Sequence, residues 1–283
     1  CRTTKAGAAR RHERGEAMNC VPILMYHSID RSCHSAYARW MVTPERFDQH
    51  LNTLAEAGCT PMTASTLSSC LAGKAALPER PVLITFDDGL RDFLTGALPV
   101  LETWNFPATL YVVSGHVGGT AQWLAPLGEG DRPMLSWDEI REIERHGIEI
   151  GGHTMSHPEL DLLPADLALK EIVGSKKELE RHLGHEVRTF AYPHGYASKT
   201  TVKLAKEAGF RAAFRVNHAI SALKEQAHSL SRIIMTEEVD TTQLLAFVEG
   251  RGLRVCPPPH RAQSSGWRMA RQLRNMIRTL RPA

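Results

Sequence analysis

Several features that define common protein classes are missing from this sequence of 283 residues. No run of about 18 apolar residues occurs, so no segment is predicted to cross a membrane as a helix. The basic N-terminus is not followed by the apolar stretch and small-residue cleavage site of a signal peptide. The six cysteines form neither a C-x-x-C pair nor a zinc-finger spacing, so we predict no disulfide framework. These absences predict a cytoplasmic protein.

A glycine-rich phosphate loop is also missing after every predicted strand, which disfavours nucleotide binding. Positive charge, by contrast, is concentrated at the two ends. Residues 1–17 carry five basic and two acidic side chains, and the chain after residue 250 carries eight arginines and no acid. We therefore predict a disordered basic extension at 1–17, a folded domain at 18–250, and a linker followed by a basic amphipathic helix at 251–283.

The predicted C-terminal helix has two distinct faces. Apolar side chains share one side of a helical wheel and five arginines take the other: Met269, Ala270, Leu273, Met276, Ile277 and Leu280 against Arg268, Arg271, Arg274, Arg278 and Arg281. This pattern is typical of a helix that lies in an anionic membrane surface, which would make the protein peripheral at the membrane. The alternative is a helix docked on the folded domain with its arginines in solvent. No motif accompanies the arginines, so we predict no specific nucleic-acid partner.

Strand-like and helix-like segments alternate through the predicted folded domain. They include strands at Pro81–Phe86 and Ser229–Met235, a helix capped by Thr43, a helix that begins with a capping box at Ser136–Glu139, and a helix over about Ala165–Leu183. This order predicts an α/β fold with a mostly parallel sheet and helices outside, closed as a barrel or open and doubly wound. Polar residues gather where strands end, at His27, Asp87–Asp88, His153 and Tyr192–His194. A parallel barrel brings such ends to one face, where active sites lie, so we predict a barrel. The glycine-rich segment Gly118–Pro133 is predicted to be a loop over its mouth.

Two short motifs carry candidate chemistry. The sequence TFDDG at 85–89 ends a predicted strand with two carboxylates, although alone it is also a common turn sequence. The sequence HTMSH at 153–157 places two histidines four residues apart, a spacing that can bind a metal but usually does not. Two histidines and one carboxylate leave coordination positions for water and substrate. Together the motifs therefore indicate a catalytic rather than a structural metal site.

The order of TFDDG, HTMSH and FAYPHG after a VPILMYHSI strand resembles the NodB-type polysaccharide deacetylases, carbohydrate esterase family 4, over about residues 21–249. The resemblance implies a distorted (β/α)₇ barrel that hydrolyses N-acetyl groups on chitin-like, cell-wall or lipid-linked glycans. It implies that Asp88, His153 and His157 bind a divalent metal, usually zinc, and that Asp87 is the general base. The backbone N–H of His194 is implied to stabilise the oxyanion.

The sequence departs from the family pattern in three motifs, and the Asp/Trp pair of the fourth motif has no match. Ala191 stands where the third motif has an arginine, and Leu230-Ser-Arg232 stands where a Leu-x-His motif carries the general acid. We expect Arg232 to orient Asp87 instead. His27 is our first candidate for the acid, with a structural role beneath the site as its alternative.

Three further residues complete the predicted site. His228 is the second candidate for the acid, and Tyr192 and Pro193 of the third motif are expected to contact substrate.

Two alternatives to an N-acetyl glycan deacetylase stay open. One is an amidohydrolase that uses the same barrel on a small non-glycan amide. The other is a glycan-binding pseudoenzyme, which the departures from the family motifs make conceivable. The complete Asp88, His153 and His157 set argues against metal-free chemistry, and the retention of Asp87 argues against a pseudoenzyme.

Overall fold

The computed structural model describes residues 20–256 and Arg271. The predicted extension at 1–17 and, apart from Arg271, the predicted C-terminal helix lie outside the described residues, so both stay predictions. Within the described part of the chain, every helix is too short or too polar to traverse a lipid bilayer.

Strands and helices alternate along the described chain, as predicted. The first half contains β1 (Cys20–Val21), β2 (Ile23–Tyr26), β3 (Ser28–Ile29), β4 (Met41–Val42), α1 (Pro44–Glu56), β5 (Thr60–Met62), α2 (Ala64–Leu71), β6 (Pro81–Phe86), α3 (Leu98–Trp104) and β7 (Thr109–Val112). The second half contains α4 (Trp137–Arg145), β8 (Glu149–Gly152), α5 (Ala165–Leu183), β9 (Thr189–Ala191), α6 (Lys199–Glu207), β10 (Ala212–Phe214), β11 (Ile220–Ala222), β12 (Ile233–Ile234), α7 (Thr241–Val248) and β13 (Val255–Cys256).

Eight strands form one curled, parallel sheet in the order β10-β9-β8-β7-β6-β2-β12, with β5 paired to the first half of β6. The segment before β12 joins the two edges. Leu230 bridges to Phe214 of β10, and Ile233 pairs with Leu24 of β2. The curled parallel sheet with its helices confirms the predicted α/β barrel class.

Two small sheets complete the fold. β11 pairs antiparallel with β1 and parallel with β13, and β3 pairs with β4. β13 ends at Cys256, which lies after the predicted domain boundary at residue 250, and that boundary stays a prediction.

Local capping explains where the main helices begin and end. Thr43 Oγ1 accepts the Arg46 N–H at the start of α1, and Ser136 and Glu139 form the predicted reciprocal capping box of α4. The helix α5 ends at Gly184, whose φ of 79° suits glycine. These starts and ends match the predictions.

An aromatic cluster supports the end of β6, where the paired carboxylates follow. Phe86 is fully buried, and its ring packs against Tyr26 at 5.4 Å, Phe47 at 5.6 Å and Phe93 at 4.9 Å between centroids. Packed aromatic rings resist displacement. The cluster therefore fixes the position of the backbone that enters the Asp87–Asp88 turn.

Candidate active site

The ends of the parallel strands place the predicted site residues on one face of the sheet. Asp87 and Asp88 follow β6, His153 follows β8, and His27 follows β2. Asp87, Asp88 and His153 are almost completely buried, whereas His27 is partly exposed.

The side chains of Asp88, His153 and His157 converge as a candidate metal site. Asp88 Oδ1 lies 3.2 Å from His157 Nε2 and 3.6 Å from His153 Nε2. The ligand atoms of all three residues lie within 4.8 Å of one another. Ligands of a tetrahedral zinc ion at about 2.0–2.1 Å would be about 3.3 Å apart, so the observed separations match this geometry.

The chemistry of the three side chains also fits a divalent cation. His153 Nδ1 lies 2.8 Å from the Ala191 carbonyl oxygen, which can only accept, so Nδ1 carries the proton and Nε2 has a free lone pair. Burial lowers the pKa of His153 to about 4, which keeps the imidazole neutral at neutral pH. Asp88 Oδ1 is buried without a hydrogen-bond partner among the described residues. A cation would satisfy it.

Unusual backbone conformations concentrate at this site. Four of the seven described non-glycine residues with positive φ lie here: Asp88 (77°), Thr154 (68°), His157 (59°) and His194 (56°). Such conformations cost free energy and persist where the surroundings impose them. One local restraint is the Thr154 hydroxyl oxygen, which accepts the His157 N–H at 3.0 Å. The backbone is thus held in a conformation that aims the side chains at one point.

Asp87 forms a two-point ion pair with Arg232, a residue that is completely buried. Each guanidinium NH₂ donates to one carboxylate oxygen at 2.6 Å, and Arg232 also donates to Thr85 Oγ1 and to the Arg215 carbonyl oxygen. Burial raises the pKa of the Asp87 carboxyl, but the charge of Arg232 and its hydrogen bonds to the carboxylate outweigh the effect of burial, so the net shift is downward. Asp87 is therefore ionised and fixed in orientation.

Replacing Arg232 with Met is expected to move the acidic limb of the pH–rate profile upward by about 1–3 pH units. Without the guanidinium, burial raises the pKa of Asp87, and the base becomes protonated at a higher pH. The measurement is kcat/KM against pH, with thermal unfolding to verify that the variant is folded. The control is Arg188→Met, because Arg188 is half exposed and pairs with Glu186. An unchanged acidic limb in Arg232→Met would show that the ion pair with Arg232 does not set the pKa of the catalytic base.

The two candidate acids differ in their surroundings. His27 lies against the Trp40 ring at 4.8 Å, and its Nδ1 has no hydrogen-bond partner among the described residues. His228 Nε2 lies 2.7 Å from the Phe210 carbonyl oxygen, so its proton is held by the backbone. The structure therefore favours His27.

The third motif is positioned differently from our expectation. Tyr192 is completely buried, and its hydroxyl donates to the His228 carbonyl oxygen. Pro193 is buried as well, so neither side chain is open to a glycan in this structure, and their contact with substrate stays a prediction. The exposed ring of His194 packs edge-on against His157 with centroids 4.7 Å apart, which places this residue beside the metal site.

Two aromatic residues that we did not predict line the site. Trp123 stacks on His157 with centroids 4.9 Å apart and planes at 23°. It belongs to the segment Gly118–Pro133, so the predicted loop does reach the mouth of the site. Burial, and then the nearby charge of Asp88, raise the pKa of Tyr37, whose buried hydroxyl has no hydrogen-bond partner among the described residues. The sequence did offer a signal for Trp123, because an aromatic residue in a loop predicted to cover the mouth can be expected to contact the site.

Comparison with known sequences identifies related proteins. Residues 74–213 match the family model described as polysaccharide deacetylase. YxkH of Bacillus subtilis, whose name groups it with the polysaccharide deacetylases, is 27% identical over 81% of this chain and 76% of its own length. A poly-β-1,6-N-acetyl-D-glucosamine N-deacetylase of Staphylococcus aureus is 26% identical over 58% of each chain. The chain therefore spans little more than half of that second relative.

Solved structures show the same architecture. The deacetylase PplD of Streptococcus pyogenes, determined in complex with acetate, is 27% identical with a TM-score of 0.70 over 80% of this chain and 96% of that chain. IcaB from Ammonifex degensii is also 27% identical, with a TM-score of 0.71 over 82% and 97%.

Proposed function

Residues 74–213 form a domain of the polysaccharide deacetylase family, and from this premise we propose that the protein is a metal-dependent hydrolase that removes N-acetyl groups from an amino-sugar glycan. The observation that carries the proposal is the Asp87–Arg232 pair beside the cluster of Asp88, His153 and His157. An ionised, oriented carboxylate next to a three-ligand site is the arrangement that amide hydrolysis by activated water requires.

The roles of the site residues follow from this arrangement. A divalent ion held by Asp88, His153 and His157 would polarise the acetyl carbonyl and lower the pKa of a water molecule. Asp87 takes the proton of that water as its oxygen bonds to the carbonyl carbon. Each Asp87 oxygen has a lone pair left after accepting from Arg232, so the ion pair does not prevent proton transfer. The backbone N–H of His194 is proposed to stabilise the oxyanion.

Breaking the carbon–nitrogen bond requires a proton for the leaving amine, and we assign its delivery to His27. Desolvation lowers the pKa of His27, while Asp88 and then Asp87 raise it, and the net shift is downward. At neutral pH most of the imidazole is therefore neutral, so the donor is the minor protonated form, which is a stronger acid. Solvent reprotonates His27 between turnovers, and Asp87 returns its proton to solvent. The products are acetate and a free amine on the sugar.

A polymer of N-acetylglucosamine is the proposed substrate class, supported by the names of the relatives. The test is acetate release from poly-β-1,6-N-acetylglucosamine oligomers, chitooligosaccharides, peptidoglycan, a lipid-linked amino sugar and N-acetylglucosamine itself, after chelation and after zinc is added back. We expect release from at least one oligomeric glycan, restored by the metal. Turnover of small non-glycan amides alone would favour the amidohydrolase alternative. Glycan binding without any turnover would favour the pseudoenzyme.

A further inference from the structure

Arg271 is the residue of the C-terminal segment that the structure describes, and it is buried against the folded domain. Its side chain is 5% exposed. The two guanidinium NH₂ groups donate to the two carboxylate oxygens of Asp161 at 3.0 and 2.6 Å, and one also donates to Glu159 at 3.2 Å. The guanidinium carbon lies 3.7 Å from the centre of the Tyr196 ring. Arg271 is therefore not on a solvated face, contrary to our expectation for the tail arginines.

The partners of Arg271 belong to the two loops that contain the site histidines. Glu159 and Asp161 follow His157 within the loop between β8 and α5, and Tyr196 follows His194 in the loop after β9. Arg271 thus contacts both loops at once.

Ring contacts continue from Arg271 to the metal site. The Tyr196 ring stacks with His194 at 5.9 Å and 25°, and the His194 ring packs edge-on against His157 at 4.7 Å. His157, like Asp88, has a positive φ, and its Nδ1 has no hydrogen-bond partner among the described residues. Its position therefore depends on the packing around it.

An arginine is suited to link these groups. Its planar guanidinium can form two parallel hydrogen bonds with a carboxylate while one face stacks on an aromatic ring, which a lysine ammonium cannot do. Asp161 is itself buried, so loss of Arg271 would remove a major counter-charge from a buried carboxylate and destabilise this loop arrangement.

We propose that Arg271 is a positioning residue for the deacetylase site: it holds the His157 loop against the His194 loop and so fixes the position of His157 for metal binding. The proposal rests on the proposed function, because it concerns the same three ligands. If the tail served membrane binding alone, its removal would leave the activity of the barrel intact. With Arg271 as a positioning residue, we expect its removal to weaken metal binding as well.

The test is metal affinity measured by chelator competition in the full-length protein. Arg271→Met is expected to weaken zinc binding by about 3- to 30-fold, the range for residues that act through a contact network. Arg271→Lys should restore only part of the loss. Arg251→Met makes the same chemical change at an exposed arginine that pairs with Glu249, and it should bind zinc as the wild type does. A double-mutant cycle with Asp161→Asn should be non-additive, because the two side chains are direct partners.

Two outcomes separate this inference from the proposed function. Wild-type zinc affinity in a folded Arg271→Met variant would overturn the inference and leave the deacetylase proposal standing. If the wild type itself bound no metal, the metal part of the proposed function would fail. Hydrogen exchange in residues 153–162 and 192–197 would then test whether Arg271 holds the two loops together. Faster exchange in these two segments in Arg271→Met than in Arg251→Met supports the positioning role of Arg271, and equal exchange overturns it.

Discussion

Replacing Asp87 with Asn is expected to lower acetate release by about 10²–10⁴-fold, the usual scale for loss of a general base. The amide keeps the size of the carboxylate but cannot take a proton from water. Metal affinity should stay near the wild-type value, because the ligand cluster is formed by Asp88, His153 and His157. The measurements are kcat on the best glycan of the panel and zinc affinity by chelator competition.

The neighbouring carboxylate provides the matched control. Asp88→Asn is the same chemical change one residue along, but it should reduce metal affinity and activity together. Asp87→Asn leaves the buried Arg232 without its charged partner, so both variants need a thermal unfolding curve to show that they are folded. Nearly full activity in Asp87→Asn would mean that the base lies elsewhere.

Elements with strong local signals were predicted with the bounds that the structure shows. The strand Pro81–Phe86 is a continuous apolar run that ends at two aspartates, and the helix Ala165–Leu183 lies between Pro164 and Gly184. By contrast, β5 and α2 at residues 60–71 were missed. They are short, contain Pro61, and α2 is rich in serine and threonine, so neither displays a clear hydrophobic period.

The last strand shows why one part of the site needed the three-dimensional fold. We predicted a strand over Ser229–Met235, but only Ile233–Ile234 is a strand. Leu230 instead pairs with β10, while Ile233 pairs with β2, so this segment crosses between two strands. Arg232 lies at the crossing and points at Asp87. The sequence identified Arg232 through its motif, but only the crossing explains how an arginine can be completely buried there.

Other site contacts depend on residues that are distant in the sequence. Trp123 reaches His157 from a loop of irregular backbone, and Arg271 reaches Asp161 across 110 residues. Hydrophobic periodicity predicts helices and strands, but it predicts neither the conformation of an irregular loop nor the contacts of Arg271 with a distant loop. The chemistry of a motif can therefore be predicted from residue types and spacing, whereas the residues that pack around it require the tertiary structure.

The histidine pair gives the other large expected effect, because zinc sites in proteins usually need at least three protein ligands. In a His153→Ala/His157→Ala variant, Asp88 alone would remain, and a single carboxylate does not retain a divalent ion against dilution. The side chains of both histidines are less than 10% exposed. The variant therefore also loses packing, and its folding must be checked by thermal unfolding.

We expect bound zinc to fall from about one ion per chain to near zero in the His153→Ala/His157→Ala variant, with acetate release lost in parallel. Elemental analysis after dialysis against metal-free buffer measures the first, and the glycan assay measures the second. His146→Ala/His185→Ala is the matched control, since it removes two exposed histidines that pair with surface glutamates and should retain the metal. Undiminished zinc in the His153→Ala/His157→Ala variant would show that the ion binds elsewhere. Among the described residues, the strand ends contain no other cluster of three such ligands.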